Sequence, residues 1–360
     1  MTVHRRFLKT SLVFLTLFGS LIGAMMLVQL AGWMPARAFQ AHLVAHASFQ
    51  VYGFMLLFIQ GISLAMLRTP CFPRALIPLT LALTTLGVLL SAFAELGVPV
   101  WAGRTALTLG SLPLVWLSWP YGPYLVSGSL WLLAGILTGR YDLVLWGFAT
   151  LFVLGLGQRM HPALLGQPAV PRWARPTIAI LWNLGLLLDQ PALLLLAASL
   201  QCAGLRVFRA ALRPGRLAWD LRSYLRLSYA WLMVACLMAV LQAPPSLTRH
   251  TLASGFLLTM MAGMALRIVP ALERRAITAP GRPALILLGL QLGAILRLGA
   301  QAAGLSQVMA LGGLVQLLAV TTFAVVLWQT MRPQPLTWIN FLPQAGCYAG
   351  PTQRRELISS

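Results

Sequence analysis

The sequence predicts an all-α integral membrane protein with twelve transmembrane helices in three four-helix repeats, arranged with pseudo-threefold symmetry. Three observations predict it. The chain is 59% hydrophobic and only 9% charged, with a mean hydropathy of +0.81, and a soluble fold could not hide that much apolar surface. Apolar runs fill nearly all of it, each near the roughly 20 residues a helix needs to cross a bilayer. Finally, Gly147-Phe148, Gly155, Arg159 and Pro162 recur at identical spacing as Gly255-Phe256, Gly263, Arg267 and Pro270. A looser copy lies at Gly53-Phe54, Gly61, Arg68 and Pro70. A fixed template recurring at intervals of 94 and 108 residues is the mark of internal repetition, here triplication.

The first repeat, 8–118, holds spans at 8–30, 42–67, 75–96 and 103–118. The second, 121–210, holds 121–138, 142–160, 176–190 and 192–210. The third, 222–331, holds 222–242, 250–270, 282–300 and 307–331. Residues 1–331 thus form one polytopic domain, and 332–360 a cytoplasmic tail. His4-Arg5-Arg6 before an apolar run is similar to a signal peptide, but the run is longer than a usual signal core and reads as a retained first span. The stretches 103–138 and 176–210 are each one overlong helix or two short ones. Proline at Trp119-Pro120 and Gln190-Pro191 favours a hinge in both. Tyr124-Leu125 with Trp131-Leu132 has the spacing of Tyr224-Leu225 with Trp231-Leu232, which makes 121–138 the first helix of its set. The template helix is then second in each set. The third helix carries Gly185 with Asp189 in one repeat and Gly293 with Arg297 in the next.

The net charge of +20 comes from 26 Lys and Arg against 6 Asp and Glu. These basic residues cluster between apolar runs, as topology signals do, which argues against nucleic-acid binding. With the N-terminus inside, 21 fall on inner segments and five on outer ones, Arg37, Arg104, Arg140, Arg249 and Arg297. That bias places both termini in the cytoplasm. Cys71, Cys202, Cys236 and Cys347 lack CxxC spacing and read as unpaired thiols.

Five histidines remain. His4 falls in the cytoplasmic N-terminal tail and His161 beside Arg159 at an inner helix end, and both read as surface residues. His42, His46 and His250 fall at the outer ends of the second and tenth spans, with His42 and His46 on one helix face. Two readings are open for these three. They are interfacial histidines at headgroup level, or His46 and His250 approach each other and ligate a metal or haem iron. Arg37, Arg249 and Arg297 lie at the same outer level and either bind headgroups or pair with haem propionates. Three acids, Glu95, Asp142 and Asp189, share that rim. Asp142 stands five residues before Gly147, as His250 does before Gly255.

The architecture, with segments 46–54 (His46 through Phe54), Arg249-His250 through Gly255, and Gly263 through Pro270, is similar to the catalytic subunit of haem–copper oxidases and nitric-oxide reductases. More closely it resembles the NnrS family, smaller bacterial membrane proteins associated with nitric-oxide metabolism and reported to bind haem and copper. The resemblance implies a bacterial inner-membrane protein in electron transfer or nitric-oxide physiology, with a redox partner or quinol. It implies a b-type haem held by His46 and His250, with His42 an accessory or alternative ligand and copper a further cofactor. The oxidase pattern also needs a His on the sixth helix, a pair on the seventh and a second on the tenth. Here Asp142 stands on the sixth, 176–190 has no histidine, and the tenth has only His250. A reducing centre of the usual type is therefore not expected. Cofactor-free transporters and structural membrane partners are the alternatives. Threefold rather than inverted repeats argue against the transporter.

Overall fold

The computed structural model describes residues 3–35, 38–67, 73, 75–165, 167–209, 221–275, 277 and 281–332, and no strand occurs among them. In chain order its main helices are α1 (His4–Leu30), α2 (Phe39–Met66), α3 (Leu76–Ala92), α4 (Val100–Ser118), α5 (Pro123–Thr138), α6 (Leu143–Pro162), α7 (Ala174–Leu187), α8 (Pro191–Gly204), α9 (Arg222–Val240), α10 (Pro245–Leu272), α11 (Arg282–Ala303) and α12 (Ser306–Thr330). Seven of them, α1, α2, α6 and α9 to α12, are long and apolar enough to cross a membrane. α3, α5 and α8 are apolar but shorter. α7 has 14 residues, about 21 Å at 1.5 Å per residue, against a hydrocarbon core of roughly 30 Å. α4 has the length, at 19 residues, but carries Arg104 and several hydroxyl side chains. Arg37, Cys71, Arg68 and Pro70 of the loosest template copy, and the tail 333–360 lie outside the described residues.

Proline breaks the chain where its lack of an N–H and its ring sterics require. α4 ends at Ser118, one 3-10 turn spans Trp119–Tyr121, and α5 starts at Pro123 after Gly122 at φ 96°. The two run antiparallel. The Ser118 and Ser129 hydroxyls meet at 2.8 Å near the turn, and Arg104 Nη1 donates to the Leu137 carbonyl at 3.0 Å at the far end. α7 and α8 are separated at Asp189, which is exposed at φ 51° in the left-handed region.

Template glycines are contact points. A Cβ on Gly147 would fall 2.5 Å from Cβ of Trp131, and one on Gly155 would fall 2.6 Å from Cβ of Tyr124. On α10, a Cβ on Gly255 would fall 2.7 Å from the Trp231 ring and one on Gly263 2.5 Å from Cβ of Tyr224, both on α9. On α2, a Cβ on Gly53 would fall 2.8 Å from the Phe14 ring and one on Gly61 2.9 Å from Cβ of Phe7, both on α1. Small residues let the paired backbones approach closely. Each ring of the second and third pairs also finds a polar partner. Trp131 Nε1 donates to Asn183 Oδ1 at 2.8 Å, and Trp231 Nε1 to Gln291 Oε1 at 2.7 Å. The Tyr124 hydroxyl donates to the Arg175 carbonyl at 2.8 Å, and that of Tyr224 to the Pro283 carbonyl at 2.6 Å. Each Gly-Phe pair lies in a π-helical segment, Phe49–Leu56, Leu143–Ala149 or Thr251–Leu258. Their phenylalanines, Phe54, Phe148 and Phe256, are fully buried, and α2, α6 and α10 are the most buried of the seven long helices.

At one end of the bundle, α1 is tied to α10. Arg5 Nε donates to the two Glu273 carboxylate oxygens at 2.8 and 2.9 Å, and His4 Nε2 bonds Oε1 at 3.0 Å. His4 is therefore engaged rather than free on the surface. His161 is buried outright, at 1% exposure, with its Nδ1 3.0 Å from the Tyr229 hydroxyl. Its neighbour Arg159 suggested an accessible helix end, but α9 packs over the imidazole face of that turn. Cys202 and Cys236 are buried free thiols. Exposed Trp33 and Trp101 lie toward the opposite end, and exposed Trp119 and Trp173 toward this one. Trp is favoured at both water–bilayer interfaces.

Candidate functional site

At the end opposite Glu273, a cavity of about 410 Å³ opens between α1, α2, α10, α11 and α12, with Tyr141 and Leu145 on its remaining side. That volume falls within the roughly 300–1,000 Å³ typical of small-molecule and cofactor sites. His46 of α2 and His250 of α10 both line it, as do Arg249 and Arg297, and no acidic side chain is among its lining residues. Most of the remaining wall is aliphatic.

Both imidazoles are held the same way. His46 Nδ1 lies 2.7 Å from the Gly19 carbonyl, and His250 Nδ1 lies 2.7 Å from the Ser246 carbonyl. A carbonyl only accepts, so each Nδ1 carries the proton and each neutral ring keeps its lone pair on Nε2. Neither Nε2 has a hydrogen-bond partner among the described residues. Fixing one ring nitrogen on a carbonyl is how proteins orient a metal-ligating histidine. The first helix is shaped for this: a Cβ on Gly23 would fall 2.6 Å from His46 Cε1, and one on Gly19 would fall 2.8 Å from the Gln50 amide.

Arg297 brings charge to the cavity from the last two turns of the apolar α11, and its buried Nε has no partner among the described residues. Buried beside it, Gln316 Nε2 is also unpartnered. An unpaired buried charge is strongly destabilising unless something neutralises it, so the cavity suits an occupant with an anionic group. Arg249 sits at the edge in a forked pair with Asp142, its Nε 2.6 Å from Oδ1 and one terminal nitrogen 3.1 Å from Oδ2. Tyr141 next to it shares a 2.9 Å hydrogen bond with Ser48 and packs on Tyr52, ring centroids 5.5 Å apart.

Of the residues singled out in sequence, four line this cavity together, His46, His250, Arg249 and Arg297. His42 does not. It lies one turn further out on α2, with a buried Nδ1 that has no partner, and a three-histidine set of His42, His46 and His250 is not assembled. Among the described residues no group of three or more His, Cys, Asp or Glu is placed to hold a metal ion. The unpartnered Nε2 atoms, the volume and the unpaired Arg297 guanidinium suit an occupant that has an anionic group and can accept imidazole ligands. Gly19, Gly23, Gln50 and Tyr141 carry the site without having been singled out. The four-residue spacing of Gly19 and Gly23 put both on one face of the first span, and was the available signal. Neither a protein-family model nor a curated protein matches this chain.

Proposed function

We propose that this chain is a bacterial inner-membrane haem protein of the NnrS-like type, acting in electron transfer or nitric-oxide-related physiology. The carrying observation is the pair His46 and His250, on different helices of one cavity, each with Nδ1 committed to a carbonyl. Their Nε2 lone pairs would hold the iron. Arg297 and Arg249 supply positive charge for the propionates, and Arg249 is positioned by Asp142. A bound haem would supply a reversible one-electron couple. Electrons would come from a redox partner or a quinol.

The same reading includes twelve spans in three repeats, with both termini cytoplasmic. It is supported by the six Gly-on-aromatic contacts, two on each template helix, by a π-helical segment at each Gly-Phe pair, and by tryptophans near both ends. The bundle's first helices then correspond at Phe7/Phe14, Tyr124/Trp131 and Tyr224/Trp231, each pair seven residues apart. Unpaired Arg297 would equally serve a cofactor-free carrier of an organic anion. An absorbance spectrum of protein purified from haem-replete cells separates the two. Bis-imidazole haem gives sharp α and β bands on reduction, and a Soret-free spectrum sinks the haem reading.

A further inference from the structure

Two side chains that line the cavity, Arg297 of α11 and Gln316 of α12, each keep a buried nitrogen donor without a partner among the described residues. Gly293 stands four residues before Arg297, and Gly312 four before Gln316. A Cβ on Gly293 would fall 2.8 Å from Cβ of Gln316, and one on Gly312 would fall 2.6 Å from the backbone N of Arg297. The two helices are therefore antiparallel, each glycine faces the other helix's polar residue, and Arg297 and Gln316 stand one helical turn apart in height. The Cα–Cβ bond of a helical residue tilts toward the N-terminus of its own helix. In this antiparallel pair the two tilts oppose, and they turn Arg297 and Gln316 toward each other.

That corner is electrically unbalanced. Gln316 is only 6% exposed, and a buried amide N–H without an acceptor costs free energy. A buried guanidinium without a counter-charge costs more. Arg249, the other cation of the lining, is already neutralised by its fork with Asp142, and the lining itself holds no acid. One uncompensated positive charge remains, and it calls for one negative charge. A carboxylate satisfies both donors, since its two oxygens take a parallel pair of N–H bonds from a guanidinium and a further lone pair takes the amide. A phosphate monoester would bring about two charges to this one cation. Leu27, Leu43, Leu145, Leu258 and Val320 supply aliphatic wall beyond the corner, a surface for an apolar body rather than a hydrated ion.

We infer that Arg297 and Gln316 form a subsite for a single carboxylate carried by an amphiphilic organic acid, whose apolar part lies along the aliphatic wall. The inference rests, like the haem reading, on this cavity holding an occupant, but it needs no iron. A free aliphatic acid and a propionate of haem share the chemistry. To test it, full-length protein from haem-starved cells is immobilised and titrated with radiolabelled octanoate, with octanol as the uncharged competitor. One octanoate per chain should bind saturably, and octanol should not displace it. Gln316→Met keeps the volume and removes the amide, and Arg297→Met removes the charge; each should weaken octanoate binding by about tenfold or more. Both variants should be at least as thermally stable as the unliganded wild type, because each removes a buried donor that has no partner, whereas a merely structural role would lower stability. Protein from haem-replete cells separates the two sources. A Soret band with octanoate excluded assigns the carboxylate to a haem propionate. A Soret-free protein that binds octanoate assigns it to a free acid, and there the haem reading fails while the subsite stands. No octanoate binding by the haem-free wild type, displacement by octanol, or unchanged affinity in the two methionine variants would each overturn the assignment.

Discussion

Gly23 lies directly against the ring of His46, so close that a Cβ there would sit 2.6 Å from Cε1 and 2.8 Å from Nδ1. One missing methyl group on α1 therefore sets where an imidazole on α2 stands. The contact links a packing choice to cofactor chemistry and separates the two experimentally.

Gly23→Ala should improve helix propensity by up to about 1 kcal/mol and yet impair the site. The ring must move, and its 2.7 Å bond to the Gly19 carbonyl must lengthen. Haem content per purified protein should fall at least severalfold while expression and helical circular dichroism stay unchanged. Full haem occupancy in this variant would show that His46 is not an axial ligand.

His46→Ala and His250→Ala should each abolish the low-spin α and β bands. His42→Ala should leave them in place, because His42 is outside the cavity. Loss of the bands on His42→Ala would return the outer histidine to the site. On the proposed reading His46 and His250 would both be occupied by the iron, so the reduced wild-type protein should take up carbon monoxide slowly. Rapid stoichiometric binding would contradict two axial imidazoles.

At the other end, Glu273 sets a pH dependence. Burial pushes its carboxyl up, but the hydrogen bonds from Arg5 and His4 outweigh this and hold it below the ordinary carboxylate value. Its contribution to stability is then fully present above the unfolded carboxylate value and is lost as pH falls through the depressed folded one. Glu273→Gln at neutral pH should cost about 1–3 kcal/mol, since it leaves a charged donor short of its acceptor. The gap between wild type and variant should close as thermal melts are run toward acid. A gap that widens on acidification would contradict the sign.

Gly155→Ala and Gly263→Ala should destabilise to similar extents, about 1–3 kcal/mol each, because both drive a Cβ into the Cβ of an equivalent tyrosine. Matched losses of thermal stability are expected from the repeat reading. Asp142→Asn should do much less, about 0–1 kcal/mol, as its pair with Arg249 is 36–48% exposed. Reporter fusions after Arg140 should signal the periplasm and those after Arg275 the cytoplasm. The opposite result would reject the proposed orientation.

Helix positions were legible because apolar length and proline act locally. Pro120 stands in the turn between α4 and α5, and Pro191 at the first residue of α8, as the two prolines at these hinges lead one to expect. His46 and His250 could be placed at one depth, since helical rise converts sequence offset into height. Their shared cavity was not readable, because it depends on how α2 and α10 pack. His42 misled because sharing a helix face with His46 does not place it at the same height. Asp142 and Arg249 were both noted, yet their pairing spans 107 residues. On the repeat reading α1 carries Phe7 and Phe14 where α5 and α9 carry tyrosine and tryptophan, rings that can pack on the glycines of α2 but have no polar atom to pair, which is why α1 did not read as a third copy.

The clamp between Arg5 and Glu273 has a consequence for biosynthesis. Glu273 is made 268 residues after Arg5, and at roughly 5–20 residues per second the wait is about 13–54 s. Throughout that time the amino-terminal helix has no acidic partner at its charged end. Phe7 and Phe14 must hold it against Gly61 and Gly53 of the very next helix, so α1 and α2 can dock early as a hairpin. The ribosome completes the lock only when the tenth helix emerges, and a nascent chain arrested before Glu273 would carry an assembled first hairpin with an unlatched amino terminus.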